Sequence, residues 1–240
     1  MKPYTVLDLY CGGGGAGKGY ADAGFNVIGV DIANQMHYPF EFFRWEALNT
    51  LKRLIQGYQI GSHSLNGIDA IHASPPCQRY SQMSRCQPGL SDKSPDLVEP
   101  TRFLLRRTGL PYVIENVMGA PLMDPTMLCG SHFGLQAEWE GHGEFGVQRH
   151  RLFETWPFRA PSPGMCDHSL PAIPAYGHGA GAARKNMRGK GFTDTARRAM
   201  EIGWMNRDEL SEAIPPAYTR HIGGYLWLYL ETNNKRHHDD

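Results

Sequence analysis

At 240 residues the chain can bury one substantial core and at most a small second lobe. Its 24 basic and 24 acidic residues balance, which excludes a global field for nucleic acid and leaves any such contact to a local patch. Five cysteines (Cys11, Cys77, Cys86, Cys129, Cys166) with no CxxC pair exclude a disulfide framework and point to a reducing compartment.

Tyr4 to Leu9 alternates as a strand and runs into a glycine-rich turn, Asp8-Leu9-Tyr10-Cys11-Gly12-Gly13-Gly14-Gly15-Ala16-Gly17. A helix is expected to follow as far as Ala23, with Gly24 as its C-terminal cap, and then a strand from Asn26 to Val30 ending on Asp31. Glycines let a backbone approach a ligand closely, a helix N-terminus favours anions, and an acid after the second strand can grip ribose hydroxyls. Gly12, Gly14 and Gly17 satisfy G-x-G-x-x-G, so an adenosine-type cofactor is expected. NAD and S-adenosylmethionine both fit the pattern, as does a turn that merely closes a βα unit. Glu41 to Gly57 carries a helical pattern, and Glu46 near its start reads first as a charge favoured by the helix dipole.

Ile68 to Ala73 reads as a short buried strand, stopped by Pro75 and Pro76, which have no N–H for a sheet ladder. Cys77 is thereby presented on a stiff loop at a strand's carboxyl end. A thiol there can serve as a nucleophile once its surroundings lower its pKa, or can be a small residue packed under a turn. Arg79 to Pro95 is polar and aperiodic, long enough to suggest a mobile functional loop. Asp96 to Thr108 reads as a helix, and Pro111 to Val117 as a buried strand carrying Glu115 and Asn116. A carboxylate on such a strand is either a paired core charge or a catalytic group with a raised pKa.

From Pro157 proline, glycine and histidine accumulate, and the run Arg184-Lys185-Asn186-Met187-Arg188-Gly189-Lys190 is the best phosphate-contacting patch, if not simply a solvated surface. Cys166-Asp167-His168, with Cys129, His132 and His178, invites a zinc reading, but the spacing matches no standard ligand set and no metal is assigned. Asn206 to Leu210 and Pro215 to Leu230 look helical, and the tail from Asn233 to Asp240 is expected to be disordered. No signal peptide is expected, because Asp8 interrupts the only apolar N-terminal run, and the run Tyr225 to Leu230 is too short to span a bilayer.

The glycine turn with Asp31, then Pro75-Pro76-Cys77, then Glu115-Asn116-Val117, in that order, resembles the cytosine-5 DNA methyltransferase family. Leu128 to Gly134, Arg149-His150-Arg151-Leu152-Phe153 and Ala213-Ile214-Pro215-Pro216 with Tyr218 resemble further segments of it. Gln148 is offset from the family's position, and Ser211-Glu212 stands where Gly-Asn is usual.

The resemblance implies an α/β fold: a Rossmann-like S-adenosylmethionine-dependent methyltransferase sheet (1–155 plus 207–232) with a small irregular target-recognition lobe (156–206). It implies a DNA (cytosine-5-)-methyltransferase that acts on a flipped-out cytosine through a covalent Cys77–C6 adduct, with Glu115, Arg149 and Arg151 also catalytic. Cofactor contacts are implied at Asp8, Tyr10, Cys11, Gly12, Gly14, Gly15, Asp31, Ile32, Glu46, Ala47 and Pro75, with S-adenosylhomocysteine as product. DNA contacts are expected at Gln78 and Ser81, and, from the basic run rather than the resemblance, at Arg184, Lys185, Arg188 and Lys190. The expected setting is a cytoplasmic monomer, prokaryotic or phage-encoded, acting on double-stranded DNA, without a membrane or an obligate protein partner, and related in function to a restriction endonuclease where one exists. An RNA cytosine-5 methyltransferase on the same core, or a catalytically silent DNA-binding relative, is the alternative. An NAD enzyme would explain neither Cys77 nor Glu115.

Overall fold

The structure is a computed structural model that describes residues 3–77, 79–80, 95–173 and 191–236. Thr5–Leu9 forms β1 with every side chain buried, as expected for a short run with neighbours on both sides. The turn leads into α1 (Gly15–Asp22) and then β2 (Asn26–Asp31). Glu41–Arg44, expected inside a helix, is instead a strand, β3, paired parallel to β2 at the sheet edge. Helix α2 spans only Ala47–Ile55, because Glu46 sits in extended backbone and caps it by accepting from the Leu48 and Asn49 N–H groups. Then come β4 (Ala70–Ala73), α3 (Val98–Thr108) and β5 (Tyr112–Asn116), each within two residues of the expected start.

β6 (Thr126–Leu128) and a 3-10 turn (Gly130–Phe133) precede the hairpin of β7 (Gln136–Trp139) and β8 (Gly143–Gly146), and β9 covers Arg151–Trp156. The chain finishes with α4 (Phe192–Met200), α5 (Arg207–Glu212) and α6 (Pro216–Arg236). α6 continues into the expected tail. Thr232 and Asn233 bond back to the Leu228 and Tyr229 carbonyls four residues earlier, and no proline or glycine after Gly224 interrupts the helix.

The main sheet has seven strands in the order β3-β2-β1-β4-β5-β9-β6. The pairs from β3 through β5 are parallel, whereas β9 runs antiparallel to both β5 and β6. Strand order reverses at β1, so the crevice beyond the carboxyl ends of β1 and β4 is the switch point where ligands collect in such sheets. An antiparallel β9 begins where β5 ends, which brings Arg151 to the same edge as Glu115.

Leu7, Leu9, Ile28, Val30, Ile71 and Ile114 face α2 and α3, and Val6, Val27, Ala70, Val113 and Phe153 face α1 and α6. α1 and α6 lie so close that a Cβ on Gly19 would stand 2.1 Å from the Pro216 carbonyl oxygen and 2.0 Å from Thr219 Oγ1. The glycine run therefore serves helix packing as well as any ligand.

The β7–β8 hairpin packs with α4, and Trp139, Phe145, Ile173, Phe192 and Met200 join the apolar cluster on the α1–α6 side. The small sheet draws on residues 136–146, upstream of the lobe boundary expected at 155. Gln78, Ser81, Arg184, Lys185, Arg188 and Lys190, with most of the expected 79–95 loop, lie outside the described residues. Among the described residues, no helix is long and apolar enough to cross a membrane.

Candidate active site at the carboxyl edge of the sheet

The edge is built first by the turn after β1. Tyr10 and Gly12 have positive φ (56° and 49°), and Gly14, the left-handed residue that opens α1, has φ of 86°. A Cβ on Gly12 would meet nothing within 4 Å, so the turn faces open space there. The Gly12 N–H donates to Asp31 Oδ2 at 3.0 Å, and the Ala33 N–H donates to Oδ1 at 2.8 Å. Asp31 is thus held half-exposed at the end of β2, with lone pairs left for a diol. Ile32 beside it is 68 % exposed, an apolar side chain offered to solvent next to the acid. No acidic side chain occupies the first turn of α1 to compete for an anion at its N-terminus. These features suit an adenosine-type cofactor.

Other residues of the expected cofactor set have work inside the fold. Asp8 is fully buried beneath the turn, with Gly17 above it and the Tyr38 hydroxyl donating to Oδ2 at 3.2 Å. Its Oδ1 has no hydrogen bond, and burial pushes its pKa up to about 7. Cys11 is buried, and burial and then the Asp8 charge push its thiol far up. Tyr10 bonds Thr101 Oγ1 across the sheet at 2.9 Å. Gly15 is pressed against the Ile214 carbonyl and Ala47 is buried at the start of α2. Glu46 caps α2 with both oxygens, each taking a single N–H, so acceptor capacity remains for an amino group.

β4 delivers Cys77 and β5 delivers Glu115 to the same edge. The Asn116 side-chain amide donates to the Pro75 carbonyl at 2.9 Å and so ties the proline–cysteine loop to β5. Tyr80 closes the far side of that loop through a hydrogen bond to Asp96, and its N–H returns to the Cys77 carbonyl at 2.9 Å. Burial raises the Cys77 thiol pKa, the Glu115 charge adds to this, and Arg151 opposes it. The site as it stands favours the thiol over the thiolate, so the nucleophile reading requires a change in those surroundings.

Glu115 is 5 % exposed, and its pKa is raised by burial against the opposing pull of Arg151, the Ser74 side chain and Arg149. Arg151 Nε lies 3.0 Å from Glu115 Oε1, yet that oxygen receives no aligned hydrogen bond, so the contact is a charge contact with poor N–H geometry. Behind Glu115 runs a buried chain that the sequence did not disclose: Ser74 Oγ is 2.9 Å from His72 Nε2, and His72 Nδ1 is 3.0 Å from the Tyr20 hydroxyl. Burial lowers the His72 pKa to about 3, so the ring is neutral, with one nitrogen donating and the other accepting.

Arg149, expected to approach a nucleotide, is engaged inside the fold. It is 2 % exposed and donates to the carbonyls of Ala213 and Ser211 (3.1 Å for the latter), while the Tyr218 hydroxyl donates to its own carbonyl at 2.5 Å. It clamps the α5–α6 junction, which explains how a segment with Ser211-Glu212 still returns to the edge. Trp204 Nε1 donates to the Gly13 carbonyl at 2.8 Å, and His37 Nδ1 lies 2.8 Å from Glu209 Oε1, fastening the same segment to the glycine turn and the loop after β2. Gln148 donates to the Leu170 carbonyl at 2.7 Å.

No protein-family model matches the chain, and no curated protein sequence matches it. Solved structures do. A protein described as a DNA modification methyltransferase encoded within an E. coli prophage superposes with a TM-score of 0.60 at 16 % identity, over 95 % of this chain and 99 % of that one. A mutant of DNMT2 from Spodoptera frugiperda gives 0.56 at 13 % identity, over 93 % and 99 %, and the Entamoeba histolytica methyltransferase EhMeth gives 0.54 at 11 %, over 96 % and 99 %. The chain has the fold of these methyltransferases. This fold, a mostly parallel Rossmann-like α/β sheet with one antiparallel strand inserted near an edge, accounts for the juxtaposition of Cys77, Glu115 and Arg151, which stand on three neighbouring strands or the loop after one.

Proposed function

We propose that the chain is an S-adenosylmethionine-dependent methyltransferase acting on C5 of a cytosine taken out of duplex DNA. The observation that carries this reading is a buried, charge-frustrated carboxyl, Glu115, beside a strand-end thiol, Cys77, next to an adenosine-type cradle at Gly12 and Asp31. Asp31 would hold the ribose diol, Ile32 would cover one face of the adenine, and Glu46 would accept from its amino group. When bound, S-adenosylmethionine supplies an electrophilic sulfonium methyl.

Cytosine C5 is a poor nucleophile until C6 is attacked. In the proposed sequence the Cys77 thiol gives its proton to a solvent water and its sulfur bonds to C6, while Glu115, which burial favours in the protonated form, gives its proton to N3. The ring becomes an enamine nucleophilic at C5. After C5 has gained its methyl, water removes the C5 proton, the C6–S bond breaks, and the N3 proton returns to Glu115. Protonation of Glu115 also removes a charge that raises the Cys77 pKa, so a single proton prepares both groups. Arg151 would meet the base oxygen or the flanking phosphate through guanidinium N–H groups not engaged by Glu115 and the His150 carbonyl. The base must leave the stack, because the sulfur cannot reach C6 within it.

The test is transfer of radiolabelled methyl groups to unmethylated duplex DNA and to RNA, followed by nucleoside analysis. Label in 5-methyl-deoxycytidine supports the reading. Label in 5-methylcytidine with none in DNA moves the substrate to RNA, and label on another base removes the mechanism.

A further inference from the structure

Four metal-binding side chains from three separate stretches converge beside the strand that carries Arg151. Cys129 follows β6, His150 lies between Arg149 and Arg151, and Cys166 and His168 lie on residues 157–171, which form neither helix nor strand. One donor atom from each lies within 4.8 Å of all the others. Cys129 Sγ is 3.3 Å from His168 Nε2, and Cys166 Sγ is 3.4 Å from His150 Nε2. A tetrahedral zinc with sulfur at about 2.3 Å and nitrogen at about 2.0 Å sets sulfur–nitrogen edges of about 3.5 Å. The observed separations match those edges before any ion is added. Read along the chain, the spacing fits no standard set; in space the set is a Cys2His2 one.

We propose that Cys129, His150, Cys166 and His168 form a structural zinc site that fastens the irregular 157–171 segment to the start of β9. Four protein ligands leave no open position, which is the signature of a structural rather than a catalytic zinc. Paired thiolates and imidazoles favour zinc over calcium or magnesium, which prefer oxygen donors. The surroundings supply outer partners. Ser131 Oγ lies 3.4 Å from Cys129 Sγ and receives the Asp167 N–H at 3.2 Å, which draws the Cys166–His168 stretch toward Cys129. His132 stands beside the four, its Nε2 3.4 Å from Cys166 Sγ, and its Nδ1 accepts from the Cys129 N–H at 3.4 Å. It completes the surroundings rather than the coordination.

The segment gains most from such a cross-link, because beyond the buried Phe158 and Ala160 its side chains are mostly exposed. His150 links the site to the chemistry: its backbone lies between the Arg149 clamp on α5–α6 and the Arg151 contact with Glu115. Each cysteine gives up its proton on binding, so loading releases protons to solvent.

The test is metal analysis of the reduced full-length chain by plasma mass spectrometry, with a Co2+ titration of the metal-stripped protein. The expected result is one zinc per chain, and the visible ligand-field and thiolate charge-transfer bands of tetrahedral Co2+. Cys129→Ser, and His168→Ala at an exposed position that does not threaten folding, should each weaken zinc binding by more than about 100-fold, the upper end for loss of an outer partner. Cys77→Ser and His132→Ala should keep one zinc. A reduced wild-type chain that takes up no zinc overturns the site, as does a Cys129–Cys166 disulfide whose reduction creates no zinc binding. Zinc retained by His150→Ala but lost by His132→Ala overturns the assigned ligand set.

Discussion

Two arginine–glutamate contacts share β9 and differ in almost every other respect. On the α3 side, Glu154 and Arg102 are 4 % and 2 % exposed in their side chains. Arg102 Nε reaches both carboxylate oxygens (2.9 and 3.2 Å) and another guanidinium nitrogen reaches Oε2 at 2.7 Å. The Tyr112 hydroxyl and the Met123 N–H donate as well. On the α1 side, Arg151 is 16 % exposed and makes a single misaligned contact with Glu115, one of whose oxygens has no hydrogen bond. Both carboxylates are buried, but only Glu154 is satisfied. A buried pair with every lone pair engaged holds α3 to β9. A pair left incomplete, with its carboxyl pushed toward the neutral form, is held ready for a partner that the fold itself does not supply.

The sharpest way to break this contrast is to make the same change at both acids. Glu154→Gln removes the buried carboxylate and leaves Arg102 with only the exposed Glu99 and the Pro121 carbonyl, so it should cost about 3 kcal/mol of folding free energy in urea denaturation. Glu115→Gln leaves only a partly exposed arginine behind and removes a strained carboxyl, so stability at pH 8 should hold or rise. Methyl transfer should nevertheless fall by about 10²- to 10⁴-fold, because an amide cannot deliver the proton to N3. Equal losses of stability in the two variants would dissolve the distinction.

A second set of buried titrating groups sharpens it. Asp8 binds its proton more tightly folded than unfolded, so its contribution is present at low pH and is lost as pH rises toward about 7. His72 does the reverse: held neutral down to about pH 3, it costs stability as pH falls below 6.5. Between roughly pH 4 and 6.5 the two slopes cancel at about one proton each. Asp8→Asn removes one side of that balance. Its stability, followed against pH, should rise relative to wild type by about 1.4 kcal/mol per pH unit across this window. A parallel pair of curves would mean that Asp8 ionises freely in the fold.

A smaller effect is expected at the loop tie. Asn116→Ala removes the bond to the Pro75 carbonyl, worth about 0.5–1.5 kcal/mol. Its signature should be faster alkylation of Cys77 by iodoacetamide, read by mass spectrometry, with little change in melting. An unchanged alkylation rate would show that the prolines alone hold the thiol in place.

How much of this was legible in the sequence follows the range of the interactions. The glycine turn, Asp31, Cys77 and Glu115 were visible because each is announced by its own neighbours: glycines, prolines, or an acid on an apolar strand. The strands that deliver them were placed within two residues for the same reason. The Glu41–Arg44 strand was hidden because four residues next to a strong helical pattern carry too little period of their own. The inward turn of Arg149 depends on carbonyls more than sixty residues away, the Ser74–His72–Tyr20 chain joins β4 to α1, and the four metal-binding side chains come from three distant stretches. No local spacing encodes such meetings, so the sequence showed the residues without their partners.

In the proposed chemistry Cys77 attacks a flipped cytosine. A duplex carrying 5-fluorocytosine throughout tests it without knowledge of the recognised site, because fluorine cannot leave C5 as a cation and the adduct cannot resolve. Incubated with this DNA and S-adenosylmethionine, the wild-type protein should form a denaturant-resistant protein–DNA band whose cross-linked peptide contains Cys77. Cys77→Ser should give none. Turnover on ordinary DNA with no trapped band in wild type, or a band that survives in Cys77→Ser, would contradict the account.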